Sequence, residues 1–207
     1  MVQWIKQNNN QFVIGLGDHL KLGWSNSFLD LIKHDLWWNQ NFYPNIAYGE
    51  NEYYGDCQED WGAGGKLLQE MNFSRHKNVK IRENDSEYYA RISVKGYTIH
   101  LIQLHYPDSP QNYAIAFPED SRQYLKTTLQ EINKGPKDII IAAAHSRTGF
   151  WVNILDDDLK DEVMTKADLV LSATTHYFER KKIKGYKNNG ALVINTGSVN
   201  YPLPLSH

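Results

Sequence analysis

Apolar and polar positions along this chain follow two rhythms. Short apolar runs of strand length recur, as Phe12-Val-Ile-Gly-Leu16, Asn45-Ile-Ala-Tyr48, Asp138-Ile-Ile-Ile-Ala-Ala-Ala144, Leu169-Val-Leu171 and Ala191-Leu-Val-Ile194. Near-continuous runs of this kind read as strands buried on both faces. Tyr88 to Val94 and Tyr97 to Leu104 are rich in β-branched and aromatic residues and flank Lys95-Gly96, which predicts a hairpin. Between these runs the period lengthens to that of a helix. Ser27 can cap a helix carrying Phe28, Leu31, Ile32 and Leu36, with Trp37-Trp38 packing its end. Pro118 to Lys134 is the clearest helix. Proline stands in its first turn, Glu119 and Asp120 favour the positive end of the dipole, and Tyr124, Leu125, Leu129 and Ile132 form a stripe. Gly135-Pro136 stops it. Leu159 to Lys166 predicts a short helix, and Val2 to Gln7 reads as the end of another. Strands alternating with helices, with a hairpin in the middle, predict an α/β protein whose sheets are covered by helices.

Several strands end in polar residues. Phe12 to Leu16 is followed by Gly17-Asp18, Asn45 to Tyr48 by Gly49-Glu50-Asn51, Ile140 to Ala144 by His145, and Leu169 to Ala173 by Thr174-Thr175-His176. Carboxyl ends of strands at one rim of a sheet converge in space even when far apart in sequence. Carboxylate, amide oxygen and imidazole suit Mn²⁺, Fe²⁺ or Zn²⁺. Each position also has a plain structural role, as a packed histidine or a Gly-Asp turn; the joint pattern is what points to a metal site. Arg147 can pair with a phosphate oxygen through its planar fork or form a surface ion pair. His105 follows the hairpin and His19 follows Asp18, both near the same strand ends, whereas His34, His76 and His207 lack supporting context.

The segments Leu169 to Arg180 and Ala191 to Asn200 resemble the closing motifs of the calcineurin-like metallophosphoesterases, Leu-Ser-Gly-His-Thr-His and Val-Ile-Asn-Pro-Gly-Ser. Phe12 to Asp18 resembles that family's apolar strand followed by Gly-Asp, whose aspartate bridges two metals; Lys21 stands where a further Asp is usual. Gly49-Glu-Asn-Glu52 resembles the Gly-Asn-His-Glu block, which places Glu50 or Asn51 as a ligand and Asn51 at the catalytic histidine's place. Ile140 to His145 resembles the block that supplies a metal-binding histidine. Ala173-Thr-Thr-His176 stands where Gly-His-Thr-His is expected, with Thr174 replacing the first histidine. The family's opening Asp-x-His strand has no counterpart before Phe12. The resemblance implies two stacked mixed β-sheets flanked by helices, in a single N-terminally shortened domain spanning 1–207. It also implies metal-dependent hydrolysis of a phosphate mono- or diester. The implied metal ligands are Asp18, Glu50, Asn51, His145 and His176, and the implied catalytic residues are Asn51 and Arg147. Only the set Asp18, Glu50 or Asn51, and His145 reaches the roughly three protein ligands usual for a catalytic metal. One or two weakly held ions and an impaired site are therefore expected. The alternative is a non-catalytic binding or scaffold protein that keeps the phosphoesterase fold.

Composition changes this picture little. The 207 residues suffice for one full core. A formal net charge of −2 argues against a general nucleic-acid binder. Arg180-Lys-Lys-Ile-Lys184 is a local basic run, read as a solvated hairpin. Cys57 is the sole cysteine, so no intramolecular disulfide forms, with a lean to the cytoplasm. No apolar stretch reaches the roughly 18 residues of a membrane span. The expected partner is a phosphate ester.

Overall fold

The computed structural model describes residues 11–16, 34–44, 78–82, 87–104, 118–145, 151–173, 178–184 and 190–196. They form a mixed α/β arrangement of two sheets. The smaller sheet pairs β1 (Val13–Gly15) with β2 (Phe42–Pro44) in parallel. The larger one contains β3 (Val79–Ile81), β4 (Tyr88–Val94), β5 (Tyr97–Leu104), β6 (Asp138–His145), β7 (Leu169–Ala173), β8 (Glu179–Lys184) and β9 (Gly190–Thr196). Its order is β3-β4-β5-β6-β7-β9-β8, parallel from β5 through β6 and β7 to β9 and antiparallel at both ends.

The hairpin between β4 and β5 turns on Lys95 and Gly96, at φ 48° and 82°. Two positive φ values in a two-residue loop give the turn whose twist matches the flanking strands. Helix α1 (Leu36–Asn41) precedes β2, and the Asp35 carboxylate accepts from the amides of Trp37 and Trp38 at its start. The crossover from β5 to β6 contains α2 (Glu119–Glu131). It is shorter than the sequence pattern by one turn. Ile132 already has extended dihedrals, yet it still packs on the core. The chain must turn there, because the Gly135 amide donates to Asp138 Oδ2 at 2.7 Å and draws the start of β6 back under the helix end. A 3₁₀ turn (Trp151–Ile154) and α3 (Asp157–Lys166) lie between β6 and β7. Asp156 caps α3 by accepting from the Leu159 amide at 2.9 Å.

Alternation along the strands separates two cores. Ile102, Leu104, Ile140, Ala142, Ala144 and Val170 face α2 and α3, where they meet Leu125, Leu129, Val163 and the fully buried Trp151. Tyr88, Ala90, Leu101, Ile141 and Ala143 face the other way and meet Leu16, Trp38, Phe42 and Tyr43. The alanines of β6 bring both layers close to the central strand. The basic run at 180–184 lies in β8, an arm antiparallel to β9 at the edge of the sheet. Arg180, Lys181 and Lys182 are exposed, while Ile183 packs on the core. The predicted strand at 45–48, the helix at 2–7 and most of that at 27–36 lie outside the described residues. No helix among the described residues is long and apolar enough to cross a membrane.

Candidate functional site

The carboxyl ends of the parallel strands meet along one rim. His145, the last residue of β6, pairs with Ala173 of β7, and Ala173 pairs with Thr196 of β9. Leu104 ends β5 beside Ala144. By parity His145 shares the face of Ile141 and Ala143, toward the small sheet. There its Nδ1 lies 2.8 Å from the Leu16 carbonyl, one residue past β1. Because a carbonyl only accepts, Nδ1 carries the proton, and a neutral ring then has its lone pair on Nε2. The ring is 3% exposed.

Two further buried side chains of the large sheet hold the ends of β1 and β2. The Gln103 amide nitrogen donates to the carbonyls of Gly15 and Tyr43, at 3.2 and 3.4 Å. The Tyr88 hydroxyl donates to the Pro44 carbonyl at 2.7 Å. Burial holds the Tyr88 phenol well above its usual range and raises that of Tyr43, so both are neutral at ordinary pH. These contacts place the ends of β1 and β2 against the ends of β5 and β6. The sequence reading missed Gln103 and Tyr88. A signal existed: a glutamine inside the apolar run of β5, at a position that alternation turns inward.

Beyond the rim on the helix side, Ser172 and Asn195 are cross-strand neighbours, 0% and 1% exposed. The Thr196 hydroxyl donates to the Ser172 carbonyl at 3.4 Å, and the Trp151 indole to that of Leu171 at 3.0 Å. Asn195 therefore belongs to the helix-facing layer, opposite in parity to His145.

Of the residues singled out from sequence, His145 is placed at this rim. Asp18, Glu50, Asn51, Arg147 and His176 lie outside the described residues. Among the described residues no group of three or more His, Cys, Asp or Glu could hold a metal. His145 itself suits a ligand role, because metal-bound histidines characteristically donate their other ring N–H to a carbonyl or carboxylate. No protein-family model matches the chain, and no curated protein sequence matches it.

Proposed function

We propose that this chain is a metal-dependent phosphoesterase of the calcineurin-like class, acting on a phosphate mono- or diester with reduced catalytic power. The observation that carries the reading is the rim at which His145 hydrogen-bonds the Leu16 carbonyl. Asp18 follows Leu16 by two residues in sequence, and His176 follows Ala173, the cross-strand partner of His145, by three. A ligand set of Asp18, His145 and His176, with Glu50 or Asn51 contributed from beyond β2, is consistent with strand ends gathered in this way.

In this reading His145 offers Nε2 while Leu16 fixes its tautomer and ring plane, and the carboxylate of Asp18 supplies negative charge. Arg147 takes a phosphate oxygen through its fork. A divalent ion at this site would lower the pKa of water and polarise a phosphoryl oxygen. Asn51 stands where a histidine would protonate the leaving group. Lacking a positioned acid costs roughly 10²–10⁴-fold, which is why slow turnover is proposed.

Calorimetry with Mn²⁺ and Zn²⁺ on the wild type, His145→Ala and Asp18→Ala tests the site, with circular dichroism to verify folding. Binding that weakens at least tenfold in both folded variants is expected. Equal binding by all three proteins rejects the ligand assignment. Turnover of an aryl phosphodiester at an ordinary enzymatic rate, on the order of 10 s⁻¹, rejects the impaired site.

A further inference from the structure

The helix-facing side of the large sheet carries a second polar cluster, far from the rim. Asp138 begins β6 and His145 ends it. At about 3.3 Å per residue these ends are roughly 23 Å apart. Cross-strand register sets out the cluster. Lys80 of β3 lies opposite Tyr89 of β4, and Arg91 lies opposite His100 of β5. These four residues and the C-terminal half of α2 line a cavity of about 360 Å³. That is the lower end of the range for small-molecule sites, roughly 300–1,000 Å³.

The floor is polar and organised. His100 is 6% exposed, and its Nδ1 lies 2.6 Å from the Tyr89 hydroxyl. Its Nε2 lies 3.6 Å from Asp138 Oδ2. The neutral ring thus directs its Nε2 proton toward Asp138 and accepts from Tyr89. A position needed only for packing would continue the apolar alternation of Ile102 and Leu104, which share its face.

The walls separate opposite charges. Arg82 is already neutralised, by Glu87 at 2.5 Å and Asp120 at 3.1 Å. Lys80 and Arg91 are exposed and make no ion pair among the described residues. Across the cavity, Glu131 ends α2. A carboxylate there faces the negative end of the helix dipole, where it is disfavoured, and among the described residues it too makes no ion pair. Lys80, Arg91 and Glu131 thus line one cavity without pairing with one another, beside the Asp138 carboxylate at the floor.

We propose that this cavity binds a small zwitterion, its carboxylate or phosphate group taken up by Lys80 and Arg91 and its amine by Glu131. The neutral Tyr89–His100 pair forms the floor beneath it. The site is independent of the phosphoesterase reading.

Titration calorimetry of the full chain with L-glutamate, O-phospho-L-serine and the amine-free glutarate tests this. At least one amine-bearing probe should bind with a Kd of about 1 mM or tighter. The preference between glutamate and phosphoserine identifies the anionic group. Glutarate should bind at least about tenfold more weakly than glutamate if carboxylate is preferred. Glu131→Gln should weaken the amine-bearing probe about tenfold, and the double variant Lys80→Gln/Arg91→Gln should abolish its binding. All three positions are exposed, so the variants keep the fold. His145→Ala should leave this binding unchanged. Failure of both amine-bearing probes to bind overturns the proposal, as does unchanged binding by Glu131→Gln or by the double variant.

Discussion

Tyr88→Phe isolates one of the contacts that hold the small sheet in place. The substitution removes a single oxygen from a residue that is 0% exposed. It creates little free volume, so packing is nearly unchanged. What is lost is the 2.7 Å bond to the Pro44 carbonyl at the end of β2, together with the hydroxyl's hydrogen bond to the Gln103 side chain across the strand pair. A typical hydrogen bond contributes a net of about 0.5–1.5 kcal/mol, and an orphaned buried acceptor costs about 1–3 kcal/mol. The slightly more apolar ring offsets part of this, so a loss of about 1–3 kcal/mol is expected. For a chain of this size that lowers Tm by roughly 2–4 °C per kcal/mol. Urea unfolding should show a lower midpoint at constant slope, since the surface exposed on unfolding is the same. Hydrogen exchange should accelerate at the β1 and β2 amides before those of β6, because the bond joins the two sheets rather than strands within one. A variant within about 0.3 kcal/mol of wild type, with unchanged exchange in β1 and β2, would refute the idea that this bond fastens the sheet. Such a difference is below what one buried hydrogen bond contributes.

Two further substitutions test other parts of the fold. Burial lowers the His100 pKa below its ordinary value, opposed by Asp138 and reinforced by Arg91 and Lys134. Between that lowered pKa and about 6.5 the unfolded chain binds the proton and the folded chain does not, so stability falls as pH falls through this window. His100→Gln should therefore lose less stability than wild type between pH 7 and 5 in urea titrations; an equal loss would contradict the assignment. Asp156→Ala removes the cap of α3 and should cost about 0.5–2 kcal/mol by thermal unfolding, whereas an unchanged Tm would show that the Leu159 amide finds another acceptor.

The central parallel strands, the hairpin and α2 were legible because burial on two faces or one leaves a periodic trace. Ile139 to Ala144 is apolar throughout because β6 has a layer on each side. The edge strands left no such trace. Among the described side chains of β8 Ile183 packs on the core, so Arg180 to Lys184 reads as a solvated hairpin without a strand period, and its strand geometry comes from antiparallel pairing with β9. β3 and β2 have three residues each, too few for a period. At the rim, His145 was recognisable as a polar residue closing an apolar run. Gln103 left only the signal of a polar residue turned inward, and Tyr88 left none, because periodicity gives the face a side chain takes and not the carbonyls waiting across the gap. The separated charges around Glu131 were equally hidden, since they arise from register across three elements.

The sheet's outermost described strand, β8, has a consequence for how copies of this protein meet. An edge strand offers unpaired N–H and C=O groups to any strand that approaches, and such edges seed aggregation unless guarded. Arg180, Lys181 and Lys182 stand exposed along β8, and among the described residues Lys181 alone has an ion-pair partner, Glu179. A second copy docking its own β8 alongside would set these cations against one another, and like charges directly opposite in a strand pair are destabilising. The basic run read from sequence as a solvated hairpin therefore disfavours edge-to-edge pairing of two copies through β8.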